Sequence, residues 1–210
     1  MPSCAEVLAR SLRRAGVTRI FGLPGGEILQ LVEAARAAGI RFVLTRHEAH
    51  AAFMADVTGQ LTGVPGVCVS TLGPGAVNMT LGVANAFLDR SPLIAITAAH
   101  ACANAPYATH QNLDLNAVYT PFTKLTFTLN GFDTRSKVER ALQVALAPRR
   151  GPVHIALPGD VASRDDREST TASGGQGPEA IGRLPVSPAA IGEIHREIRS
   201  AKRPIAILGF

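Results

Sequence analysis

The sequence predicts an α/β fold of three layers, α-β-α, around a six-stranded parallel sheet. A linker and the first helix and strand of a truncated second domain are expected to follow it. Three observations carry this prediction. Short apolar runs alternate with longer stretches of helical periodicity as far as residue 157. Gly- and Pro-rich turns adjoin the strands in "GLPGGE" (22–27), "LGPGAVN" (72–78) and "RGPVHIALPGD" (150–160). Finally, a polar stretch rich in Gly, Ser and Pro, residues 163–186, separates this pattern from a last amphipathic segment.

Each element has its own signal. Ser3 and Glu6 form a capping box ahead of "CAEVLARSLRRAG", where apolar residues recur at helical spacing until Gly16 stops the helix. "TRIFGL" is a short strand closed by "PGG", and "EILQLVEAARAAG" is a second helix ending at Gly39. The pattern repeats as strand 41–45, helix 47–62, strand 66–71, helix 75–88 and strand 93–97. Residues 98–122 then read as a long irregular loop, which inside a compact α/β domain points to function. Strand 124–128, helix 134–147 and strand 152–157 complete a first domain over residues 1–162. Residues 187–210 hold one more helix and strand. Such a unit cannot bury its own apolar face, so it reads as the start of a second domain cut short.

Composition removes several function classes. Hydrophobic content of 46% and charged content of 18% fit an ordinary globular chain. The net charge of +5 is spread over scattered arginines, and aromatic content is 5% with no Trp, which argues against nucleic-acid binding. Cys4, Cys68 and Cys102 are odd in number and far apart, and they read as reduced thiols, not as a disulfide framework or zinc site. No segment has the pattern of a signal peptide or membrane span, so a soluble, cytoplasmic protein with no membrane partner is expected.

The chemistry-bearing residues gather where strands should end. In an open parallel sheet, ligands bind beyond the carboxyl ends of the strands. There "LTRHEAHAAFMADVTGQ" places Glu48 between His47 and His50 at a strand-to-helix junction. A carboxylate in the first turn of a helix is also stabilised by the macrodipole alone. The two histidines read as structural, because their offsets send them in different directions from the glutamate. "GPGAVN" approaches the dinucleotide fingerprint, but Asn78 stands where its third glycine belongs. The next strand also ends in "ITAAH", without the acid that would hold a ribose, which disfavours a Rossmann cofactor site.

Taken together, "IFGLPGGEI", the run from "TRHEAHAAFMADVTGQ" to "LIAIT", "HQNLD", "PFTK" and "RGPVHIALPGDV" carry a resemblance. Residues 3–162 resemble the N-terminal pyrimidine-binding domain of thiamine-diphosphate-dependent enzymes, in the acetolactate synthase and benzaldehyde lyase group. Residues 187–210 resemble the start of that family's central domain. The resemblance implies a carboligase or decarboxylase acting on 2-oxo acids, aldehydes or 2-hydroxy ketones. It implies that Glu48 hydrogen-bonds the aminopyrimidine ring of thiamine diphosphate and favours the tautomer that removes the C2 proton. Desolvation disfavours an ionised carboxyl in general, which suits such a group to share a proton with a weakly basic ring nitrogen.

The same resemblance places Pro24, Gly25 and Gly26 at the substrate end of the pocket, and Gly73, Pro74, Gly75 and Asn78 against the pyrimidine. It sets His110 and Gln111 facing the reacting carbon, where Gln111 could donate to a substrate oxygen; a solvated loop is the other reading of His110. Mg²⁺ and the diphosphate would be held by a C-terminal domain whose Gly-Asp-Gly…Asn signature is missing here, so this chain is expected to bind no metal and to be inactive alone. A homodimer or homotetramer is implied, with FAD possible in the parent's central domain. Glu27, His110 and Gly159 depart from the acetolactate synthase pattern at positions that shape the substrate channel. A non-catalytic module that pairs with a separate diphosphate-domain chain is the alternative.

Overall fold

The computed structural model describes residues 1–101, 107–167 and 187–205. Helix α1 (Cys4–Arg14) begins with the capping box: the Glu6 amide donates to Ser3 Oγ at 3.3 Å, and the Ser3 amide to Glu6 Oε2 at 3.1 Å. There follow β1 (Arg19–Leu23), α2 (Leu29–Ala37), β2 (Arg41–Leu44), α3 (Glu48–Thr62), β3 (Gly66–Ser70), α4 (Pro74–Leu88) and β4 (Leu93–Ala99). Then come α5 (Leu115–Tyr119), β5 (Leu125–Thr128), α6 (Thr134–Leu146), β6 (Pro152–Pro158), α7 (Gly159–Ser163) and α8 (Pro188–Ser200). All six strands pair in parallel, in the order β2-β1-β3-β4-β6-β5.

The layers follow from the two-residue period of the strands. Val67 and Val69 of β3, with Ile94 and Ile96 of β4, enter one core beneath α1, α2 and α6. Cys68, Leu93 and Ala95 face the other way, into a second core under α3, α4 and α5. Small residues let that second layer close tightly. A Cβ on Gly82 of α4 would lie 2.6 Å from the Cβ of Ala52 on α3, and one on Gly66 would overlap the Ala55 carbonyl. Substitution at Gly82 would therefore push α3 and α4 apart, and at Gly66 would push α3 off β3.

The described part of this loop, residues 107–122, is more ordered than its sequence suggests. It contains α5 and a 3₁₀ turn, Thr120–Phe122. Five residues are too few to sustain a helix by propensity, so tertiary contacts must hold it. The Asp114 carboxylate caps it by accepting from the Ala117 amide at 3.0 Å, and Tyr119 at its end is fully buried. Helix α7 is likewise absent from the sequence reading. Beyond it, the Cys4 amide donates to the Arg164 carbonyl at 2.9 Å and the Arg167 amide to the Gly131 carbonyl at 3.2 Å. The first domain's hydrogen bonding thus reaches Arg167, past residue 162. The remainder of the expected linker, residues 168–186, and the strand expected after α8 lie outside the described residues. Helix α8 leaves Ile191, Ile194 and Ile198 exposed.

Candidate active site

The carboxyl ends of β1, β2, β3 and β4 bring the expected residues to one rim. Strand β2 ends at Leu44, and the Thr45 amide donates to the Gly22 carbonyl at 2.9 Å, tying this junction to β1. His47 then caps α3: its Nδ1 accepts from the Ala49 amide at 3.1 Å, so the second nitrogen carries the proton. Its role is structural, as its sequence setting suggests. Capping the helix there makes Glu48 the first helical residue and turns it inward, to 6% exposure.

Asn78 of α4 donates from Nδ2 to Glu48 Oε2 at 3.0 Å. The other oxygen, Oε1, has no hydrogen-bond partner among the described residues. Beside it lies Gly75, where a Cβ would stand 3.0 Å from Oε1 and 2.8 Å from Thr71 Cγ2. Thus one carboxylate oxygen is oriented by an amide, while the second remains open next to a position that only glycine leaves clear. Pro74 starts α4 as its first helical residue, where its lack of an N–H costs nothing.

Gly73 and Gln111 meet closely. Gly73 has φ +60° and ψ −126°, and a Cβ there would fall 2.5 Å from the Cβ of Gln111. Gln111 itself has φ +54°, an uncommon backbone state for a non-glycine residue and one that clusters at functional sites. Gln111 also lines a cavity of about 210 Å³ together with His100, Thr128 and Pro158. His110 contributes its carbonyl, which accepts from His100 Nε2 at 2.8 Å, while its side chain is exposed.

At the β1 turn, Gly25 packs on Thr71: a Cβ would come within 2.7 Å of Thr71 Oγ1. Gly26 faces open space with nothing within 4 Å, and Pro24 is half-buried beside them. Sequence reasoning missed the contact that joins this turn to β3. Thr71 Oγ1 donates to Glu27 Oε2 at 2.7 Å. That bond, more than any other influence, holds the Glu27 carboxyl below its ordinary value of 4.5, and His100 and His110 add smaller pulls in the same direction. Glu27, Thr71, Gly75 and Glu48 therefore form a chain of near contacts across the rim.

A second missed feature lies beneath the rim. Thr126 Oγ1 donates to Asn116 Oδ1 at 2.9 Å and so accepts from His154 Nδ1 at 2.7 Å. His154 Nε2 then accepts from Thr97 Oγ1 at 2.9 Å. Tyr119 stacks on the His154 ring at 4.0 Å and 9°, and its hydroxyl donates to the Ala76 carbonyl at 2.6 Å. This network fixes α5 and, through Ala76, the first turn of α4 that carries Gly75 and Asn78. Burial pushes His154 down to about 3 and the Tyr119 hydroxyl well above its ordinary value. No sequence signal identifies the network, since its members are scattered over five elements.

Residues 2–118 match the family described as "Thiamine pyrophosphate enzyme, N-terminal TPP binding domain". The chain belongs to this family. Among similar proteins, the probable acetolactate synthase large subunit of Methanocaldococcus jannaschii is 39% identical over 158 residues, covering 75% of this chain and 27% of that protein. The acetolactate synthase of Bacillus subtilis is 32% identical over 206 residues, covering 98% of the chain and 35% of its own length. A probable 2-ketoarginine decarboxylase of Pseudomonas aeruginosa is 33% identical over 212 residues, covering 99% and 37%. This thiamine pyrophosphate domain therefore spans about a third of the curated relatives it matches, and it is of the acetolactate synthase type. Among the described residues no helix is long and apolar enough to cross a membrane, and no cluster of three metal-ligating side chains occurs.

Proposed function

We propose that this chain supplies the pyrimidine-binding half of a thiamine-diphosphate enzyme that makes or breaks a carbon–carbon bond next to a carbonyl, with 2-oxo acids as the substrate class. The observation that carries the reading is the Glu48 carboxyl: buried, oriented by Asn78 through Oε2, and open at Oε1 beside Gly75. These residues fit an aminopyrimidine, which needs a carboxyl on its ring nitrogen and a glycine edge for close approach. Thiamine diphosphate, when bound, supplies a nucleophilic carbon and an electron sink. Glu48 would hold a proton at Oε1 and share it with that ring nitrogen. Asn78 fixes the carboxyl so that no reorientation is needed during transfer. Gln111, braced on Gly73, would donate to a substrate oxygen, and Pro24, Gly25 and Gly26 would line the substrate end.

The diphosphate and its Mg²⁺ are assigned to a domain outside these residues, and the active site to an interface between subunits. Two helices support that assignment: α3, which starts at Glu48, exposes Met54, Val57 and Leu61, and α4, which carries Asn78, exposes Val77, Leu81 and Leu88. One observation narrows the substrate. Glu27 places a carboxylate at the substrate end, which favours a 2-oxo acid whose far end carries a cation or a hydrogen-bond donor. The named 2-ketoarginine decarboxylase relative is consistent with such a substrate.

The decisive experiment follows deuterium exchange at cofactor C2 in the full-length protein with Glu48→Gln. Loss of exchange by orders of magnitude, with the cofactor still bound, is the expected result. Exchange at the wild-type rate would reduce Glu48 to a helix-start residue and remove the mechanism.

A further inference from the structure

The opposite end of the strands, where they begin, holds a cavity of about 870 Å³ that the proposed chemistry does not use. It lies where the loops entering β4 and β6 meet, and these strands are neighbours with Leu93 paired to Pro152. Gln60, Asp89, Arg90, Ser91, Arg149 and Arg150 line it, with apolar walls between them. Three guanidinium groups face one carboxylate, so the lining carries excess positive charge. Arg149 and Arg150 make no ion pair among the described residues, and the Asp89 carboxylate accepts from Asn85 Nδ2 at 2.9 Å.

The backbone singles this place out: Arg90 has φ 55° and Arg149 has φ 31°, states that favour glycine. At Arg90 the chain turns out of α4 at a position where glycine is the usual residue. Arginine stands in both strained positions, on two different loops, beside one cavity. Strain of this kind is retained where the side chain is needed.

We propose that this cavity binds a phosphate-bearing small molecule of nucleotide size, at a site separate from Glu48. Guanidinium groups match phosphate oxygens through paired N–H donors. A volume of this size exceeds what a bare anion needs and lies within the range of small-molecule sites. The apolar walls and the Gln60 amide accommodate a body attached to the phosphate.

ADP and inorganic pyrophosphate are the probes, titrated calorimetrically into the full-length protein. ADP is expected to bind one-to-one and more tightly than pyrophosphate. Arg149→Ala and Arg150→Ala should each weaken ADP by about tenfold or more, corresponding to the loss of a charge-assisted contact. Arg140→Ala, an exposed arginine on α6, should change it less than about twofold. Glu48→Gln and excess thiamine diphosphate should leave the ADP isotherm unaltered, which separates this site from the proposed active site. Absence of binding at millimolar ADP, wild-type binding by both arginine variants, or pyrophosphate binding as tightly as ADP would each overturn the proposal.

Discussion

Glu27 shows what a single residue can and cannot announce. In the sequence it stands out only as an acid after paired glycines; its partner Thr71 lies 44 residues away and carries no motif of its own. The structure joins them, and the bond holds the carboxyl below its ordinary value. If Glu27 selects a cationic substrate end, Glu27→Ala should lower kcat/KM for a guanidino 2-oxo acid by about ten- to a hundredfold relative to pyruvate, the range expected for one hydrogen bond to a charged group. An unchanged ratio between the two substrates would leave Glu27 with only its bond to Thr71. Glu48, by contrast, was legible in advance. Its junction between an apolar strand and an alanine-rich helix already pointed inward; the contacts of its carboxyl with Asn78 and Gly75 emerge only in the structure. The orientation of the carboxyl, with one oxygen held and one free, needed coordinates.

At the scale of elements, the long periodic segments were readable and the short ones were not. Helices α1, α3, α4 and α6 begin and end within two residues of the positions their caps and spacing predict. Helices α5 and α7 escaped, since five-residue helices are held by tertiary partners and not by propensity. For α5 the partner is the buried His154 network, which has a thermodynamic signature. His154 is held neutral in the fold down to about 3, against an ordinary value of 6.5. Between these values the unfolded chain binds the proton and the folded one does not, so stability rises with pH across that window. One such group contributes a slope of up to about 1.4 kcal/mol per pH unit. The stability it confers is fully present above about pH 6.5 and is lost progressively as the pH falls. Urea midpoints measured from about pH 4 to about pH 7 should therefore climb in the wild type and climb less in His154→Gln. Equal slopes in the two proteins would mean that other groups govern the acid limb.

The whole molecule repeats this contrast between what one chain encodes and what its neighbours complete. Strand-helix alternation implied a parallel sheet with helices on both faces, and all six strands pair in parallel. Strand order was not legible, because it depends on which helix crosses which face. Helices α3 and α4 bury only their inner faces: Glu48, Asp56, Val83 and a stripe of Ala, Gly and Met. Their outer stripes leave Leu61 82% and Leu81 64% exposed. Aliphatic side chains at that exposure lose the stabilisation that burial would give, about 25 cal/mol per Å² of apolar surface. A continuous stripe on two adjacent helices also exceeds the scattered single residues normal on a monomer. If this face is a subunit interface, the full-length protein should sediment as a dimer or tetramer. Leu61→Arg combined with Leu81→Arg should then shift it towards monomer, because each places an unpaired charge where the partner must be apolar. The same double variant should keep its far-UV circular dichroism, since both positions lie outside the cores. An oligomer that survives both arginines would move the interface elsewhere, and with it the proposal that Glu48 works across two subunits.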